Sequence, residues 1–230
     1  MTLLGVGLSL LGPLALAAAS GRSDRGPARL GESVLGQAML VAIVFAVLWI
    51  AFGVEGLPPA ALGFRPLRWQ VLAWGLALAL FFNRVYGPAL HFALRRLRVR
   101  GFEAGLAKLA GLPRWYLGLA VVIGGTAEEI LYRGYAIGRI ESLTGSLWLA
   151  ALIPIALFSI AHVPLWGPAP ALSTALAGAI FTLFYLWQGD LAPNLIAHVA
   201  TDFVGIVLSR GGSSAREGKA VLRKGLPRGR

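Results

Sequence analysis

The chain contains no cysteine, which excludes both a disulfide framework and a thiolate metal site. Charge is scarce as well: Asp, Glu, Lys and Arg make up 13% of residues, about half the share of an ordinary soluble domain. Acidic residues are the rarer sign, 10 against 21 basic, and leave a net charge of +11. No internal repeat of the kind that builds many secondary transporters stands out. What fills the 230 residues instead is apolar: 57% are hydrophobic and the mean hydropathy is +0.73. These values predict an all-α integral membrane protein, a polytopic transmembrane helix bundle. A single membrane-embedded domain is expected over 1–209, with a basic cytoplasmic tail over 210–230.

A span needs about 20 mainly apolar residues. Seven stretches qualify, near 2–20, 34–53, 70–92, 115–140, 144–163, 171–188 and 191–209. The basic residues cluster at their ends. Arg95, Arg96, Arg98, Arg100, Lys108 and Arg114 form one group, and seven Arg and Lys residues of the tail form another. With seven spans, both groups share a side with Arg22, Arg25 and Arg29, while the opposite loops hold only Arg65 and Arg68. The positive-inside rule then puts the tail in the cytoplasm and the N-terminus outside. The same rule and anionic headgroups account for the high pI, so no nucleic-acid partner is expected. "LALAAAS" in the first span resembles a signal-peptide cleavage region. Cleavage there would put both basic groups outside, so the span is expected to be retained. Lysine is scarce beside Arg, Ala, Leu and Gly, which suggests a GC-rich bacterial genome and a bacterial inner (plasma) membrane.

The fourth stretch, "TAEEILYRGYAIGRI", holds charge where none is expected. A charged side chain near the centre of a bilayer helix costs about 2.5–3.5 kcal/mol on insertion scales. Glu128 and Glu129 are neighbours, so they point about 100° apart and cannot share one role. Arg133 lies four residues after Glu129, the favoured order for a helical ion pair. Glu129 therefore has a partner on its own helix, and Glu128 is left to face something else, as a general base does. Two later stretches carry candidate partners. His162 follows Phe158 by one turn, and Asn194, His198 and Asp202 form one polar stripe. Intramembrane ionisable groups normally face the bundle interior and pair with one another. His91 sits beside the basic loop and reads as interfacial; Asn83 and Arg84 have no assigned role.

Glu128-Glu129-x-x-x-Arg133, Phe158-x-x-x-His162 and His198-x-x-x-Asp202 resemble, in that order, the three motifs of the CAAX-protease and bacteriocin-processing (CPBP, or Abi) family, intramembrane endopeptidases. The resemblance covers about 115–209. It implies a hydrolase, an intramembrane protease in which Glu128 activates a water and His162 helps to hold it. His198 and the residue at 202 stabilise the oxyanion, and Glu129 and Arg133 support the site. Position 202 is often Asn in the family and is Asp here. An ionised carboxylate cannot donate to an oxyanion, so Asp202 either is protonated or orients His198 as an acceptor. The second role is expected, because the two residues are one turn apart.

Glu128, His162 and His198 could also bind zinc with a water in the fourth position. There is no HExxH, and a Glu–His dyad with an oxyanion donor accounts for the residues without an ion, so the metal-free, glutamic-type site is expected. No GxSG or GxGD protease motif is present; "QGD" at 188–190 falls at a helix start. The alternative is a proton- or ion-coupled transporter using the same buried Glu, His, Asp and Arg cluster. The expected substrate is a membrane-associated protein or peptide, and in a bacterium not a prenylated CAAX protein. Depth is a difficulty for the site. Counted from the expected span edges at ~1.5 Å per residue, His162 falls roughly 10 Å closer to the cytoplasm than Glu128 and His198.

Overall fold

The computed structural model describes residues 1–21, 28–98 and 102–208, and every regular element among them is a helix. The basic tail, Arg22, Arg25 and Arg100 lie outside the described residues. Seven helical runs stand where the apolar stretches are. α1 is Thr2–Gly21, and α2, Leu30–Trp49, continues as a π-helix over Ile50–Val54. α3 (Trp69–Phe81), a π-turn (Phe82–Tyr86) and α4 (Gly87–Arg96) form the third run. After the short α5 (Glu103–Leu109), α6 (Arg114–Glu128), a nine-residue π-helix (Glu129–Ile137) and α7 (Gly138–Thr144) form the fourth. α8 (Leu147–Trp166) and α9 (Pro168–Gln188) follow, then α10 (Ala192–Asp202), which a π-helix extends over Phe203–Leu208.

Five of these runs are long and apolar enough to cross a bilayer: Thr2–Ser20, Leu30–Val54, Trp69–Arg96, Leu147–Trp166 and Pro168–Gln188. The other two pack closely against their neighbours, with Leu119, Val122, Phe203 and Val204 still exposed. The run 114–144 carries the three charged residues, and its π-helix is buried throughout by α1, α2 and α8. Ala192–Leu208 is shorter and packs against α3 and α6. The outer faces are apolar, with Leu72, Leu76 and Leu80 exposed on α3 and Leu172, Leu176 and Leu183 on α9. Exposed Trp49, Trp69, Trp148 and Trp187 all stand at one end of their runs, as expected of a belt at the membrane–water boundary.

Close approach of backbones sets the helix spacing. Ser9 of α1 donates its hydroxyl to the Leu131 carbonyl of the π-helix at 2.6 Å, in a buried position. A Cβ on Gly75 of α3 would lie 2.8 Å from Ile196 Cβ of α10, so glycine is what lets those helices touch.

The expected depth offset of His162 is not present, because the turn between the fourth and fifth runs sits later than the hydropathy suggested. α7 continues to Thr144, and Gly145 then takes a left-handed φ of 66°, which favours glycine. Ser146 caps α8 by accepting from the Leu149 N–H at 3.3 Å. Thr144 lies sixteen residues past Glu128, and His162 fifteen past Leu147. At ~1.5 Å per residue the two side chains come to nearly the same depth. No helix break at Pro154 is needed, since α8 runs through it.

Candidate active site

The end of α6 divides two adjacent carboxylates. Glu128 is the last α-helical residue and keeps 23% of its side chain accessible, whereas Glu129 opens the π-helix and is fully buried. Glu129 is saturated with donors. Arg133 Nη1 lies 3.0 Å and His198 Nδ1 2.8 Å from its Oε1, and Asn194 Nδ2 donates to its Oε2 at 3.1 Å. One carboxylate therefore ties the π-helix to α10 twice. Arg133 is itself enclosed: its Nη2 donates to the Gly178 carbonyl of α9 at 3.3 Å, and its guanidinium lies 4.7 Å from the Phe158 ring centroid. Asn194 also donates to the Phe181 carbonyl at 2.9 Å. The buried pair offsets its desolvation through these extra hydrogen bonds, the condition under which such pairs are tolerated.

Glu128 faces two imidazoles. His198 Nε2 lies 3.4 Å from its Oε2 and His162 Nε2 3.9 Å from its Oε1. Both rings are fixed from behind. His162 Nδ1 sits 2.7 Å from the Phe158 carbonyl; a carbonyl only accepts, so Nδ1 carries the proton and Nε2 points at Glu128. His198 is held through Nδ1 by Glu129 and stacks on Phe181, with centroids 5.1 Å apart and planes 22° apart. Phe158 packs against the His162 ring at 4.5 Å. The motif residues of three separate runs thus meet around Glu128.

Asp202 is placed differently from expectation. Its Oδ2 lies 3.6 Å from His198 Nε2, beyond hydrogen-bond range and on the same nitrogen that faces Glu128. The orienting position on Nδ1, expected for Asp202, is taken by Glu129 at 2.8 Å. His198 Nδ1 thus points across the bundle to the π-helix rather than along its own helix. Glu129, read from the sequence as the partner of Arg133 alone, has three partners, and no spacing rule within one helix could have revealed the other two.

Glu128, Phe158, His162, His198 and Asp202 line a cavity of about 1360 Å³. It runs to the ends of α2, α4 and α8, where Arg29, His91, Arg95 and Trp166 border it. Asn83 also lines it, with its amide turned back to the Ala79 carbonyl at 2.8 Å; Arg84 is exposed and outside it. Tyr132 and Thr201, neither singled out in the sequence, are on its wall as well. A metal held by Glu128, His162 and His198 would need these side chains to converge as a ligand group. Glu128 lies 3.4 Å from His198 Nε2 and 3.9 Å from His162 Nε2, so the three face one space.

Residues 110–204 match the family model described as type II CAAX prenyl endopeptidase Rce1-like. No curated protein and no solved structure matches the chain. The matched segment begins just before α6 and ends two residues past Asp202, so it contains every residue of the cluster around Glu128. Over that segment the chain is similar to the type II CAAX prenyl endopeptidase Rce1-like family.

Proposed function

We propose that this protein is an intramembrane endopeptidase that cleaves a membrane-associated protein or peptide with a water activated by Glu128, without a metal. We place it in a bacterial plasma membrane with its C-terminal tail in the cytoplasm. The observation that carries the reading is the division between the two carboxylates. Glu129 is spent on structure, with three donors on its oxygens, while Glu128 stands on the cavity wall beside two imidazole nitrogens. Glu128 takes a proton from the water, and the water oxygen bonds to the scissile carbonyl carbon as that carbonyl's π pair moves onto its oxygen. His162, with its proton fixed on Nδ1, accepts from the water through Nε2. His198 and Asp202 face the developing oxyanion. The C–N bond then breaks, and Glu128 returns the proton to the leaving amine. The products are a carboxylic acid and an amine, so one water is consumed per bond.

General base catalysis contributes about 10²–10⁴-fold. Glu128→Gln should therefore lower kcat by about that factor, with the unfolding temperature retained, and His162→Ala should act in the same direction. The measurement is cleavage of apolar fluorogenic peptides by the purified protein, with and without a strong chelator. A fully active Glu128→Gln enzyme would sink the reading. Activity lost to the chelator and restored by stoichiometric zinc would turn it to a metalloprotease.

A further inference from the structure

Six buried side-chain polar atoms have no hydrogen-bond partner among the described residues, and the Tyr132 hydroxyl is one of them. Such a group costs stability, so its retention calls for a reason. Tyr132 is 1% exposed and lies on the wall of the cavity that holds Glu128. It follows Glu128 by four residues, which places it on the same helical face, one turn on. Its ring meets Phe158 edge-on at 5.4 Å, and Phe158 in turn packs against His162. The aromatic body is thus locked by the residues that fix the cluster, while the phenol oxygen is left over. Gln37 Oε1 and Thr201 Oγ1 are also unpartnered on the cavity wall, but their residues are only partly buried and neither belongs to the helix of Glu128.

The other donors near Glu128 are conditional. His198 gives its Nδ1 proton to Glu129, so it can donate through Nε2 only as the imidazolium. Asp202 can donate only when protonated. A phenol donates while neutral, across the ordinary working range of pH. We propose that Tyr132 is a further catalytic residue, whose hydroxyl donates a hydrogen bond to the oxyanion formed at the scissile carbonyl. The inference rests on the Glu128-water reading above. The hydroxyl has no partner in the resting enzyme because its partner arrives with the substrate and carries full charge only as the tetrahedral intermediate forms.

The test is Tyr132→Phe, which keeps the ring and removes one oxygen, in the purified full-length protein. Apolar fluorogenic peptides serve as the probe, and thermal unfolding is measured in parallel. The expected result is a fall in kcat of about 10–100-fold, the worth of one hydrogen bond to a charged group, with KM little changed. The unfolding temperature should stay the same or rise, because an unpaired buried hydroxyl has been removed. An unchanged kcat overturns the proposal. So does a lowered unfolding temperature, which means that the hydroxyl already has a structural partner. Glu128→Gln in the same assay separates the two failures: if it is fully active the water-activation reading falls, whereas inactive Glu128→Gln beside fully active Tyr132→Phe removes only the role of Tyr132.

Discussion

Two adjacent glutamates of identical chemistry end with opposite fates because they point about 100° apart, into different surroundings. Glu129 and Arg133 form a pair with side-chain exposures of 0% and 1%, so neither charge can fall back on water. Breaking such a pair from one side costs about 3–5 kcal/mol. Arg133→Ala should therefore lower the unfolding temperature and the yield of folded protein, since it also frees Glu129 to pull on His198 and Asn194. Glu128→Gln, at a partly accessible position, should leave both nearly unchanged. Fluorescence-detected size-exclusion melting of the two variants checks the contrast. Asp202 calls for a different measurement. With Glu129 already on His198 Nδ1, we propose for Asp202 the role of an oxyanion donor, which requires the protonated form. A donor that needs its proton works below its titration and is lost above it, so activity should fall on the alkaline side. Asp202→Asn supplies an amide donor at every pH and should keep much of the activity while flattening that limb. An alkaline limb that survives in Asp202→Asn would assign it to the His198 imidazolium instead.

The elements that carry these residues do so by close contact rather than by long loops. Gly145 and Ser146 make the whole connection between α7 and α8, and Gly167 alone connects α8 to α9. Short turns of this kind leave little freedom in depth, so the register of His162 against Glu128 is set by where the turn falls. The π-helix over Glu129–Ile137 begins at the residue that α10 grips, in keeping with the frequent occurrence of π-turns at functional sites. α3 bears none of the cluster residues but supports the helix that does. At Gly75 the nearest atom is the branched Cβ of Ile196, which cannot swing away as a side-chain tip could. Gly75→Ala should push α10 away from α3, at about 1–3 kcal/mol for overpacking. The expected outcome is a lower unfolding temperature together with reduced kcat, measured on the same peptide probe, although residue 75 touches no substrate. A variant with wild-type kcat would show that α10 can shift without disturbing His198.

At the scale of the molecule, the cavity and the charge asymmetry point the same way. Arg29, Arg95 and Lys108, which border the cavity, come from connections that the positive-inside rule places in the cytoplasm. Exposed Trp49, Trp69, Trp148 and Trp187 stand at the other end of their runs, and exposed Trp115 at the cavity end of α6. Substrate should therefore reach Glu128 from the cytoplasmic side. A reporter fused after residue 225 should read as cytoplasmic, and one inserted between residues 55 and 68 as external. The same compartment for both would mean that the number of crossings is even between them and would reverse or remove the proposed side of entry.

Much of this was legible in the sequence. Hydropathy is local, so it placed seven helical runs within several residues of their ends, and the cost of charge in lipid marked Glu128, Glu129 and Arg133 as residues with work to do. Helical spacing alone predicted the Glu129–Arg133 contact, because four residues along one helix are neighbours whatever the rest of the chain does. Three things were decided only by the tertiary structure. The depth of His162 depended on where the two-residue turn Gly145–Ser146 falls, a few residues later than the span edges read from hydropathy. The choice of Glu129 rather than Asp202 as the acceptor for His198 Nδ1 joins residues 69 apart in sequence, through helix packing that no periodicity encodes. The unpaired hydroxyl of Tyr132 is a property of what surrounds it from other helices, and a tyrosine in an apolar run carries no local sign of whether its oxygen will find a partner.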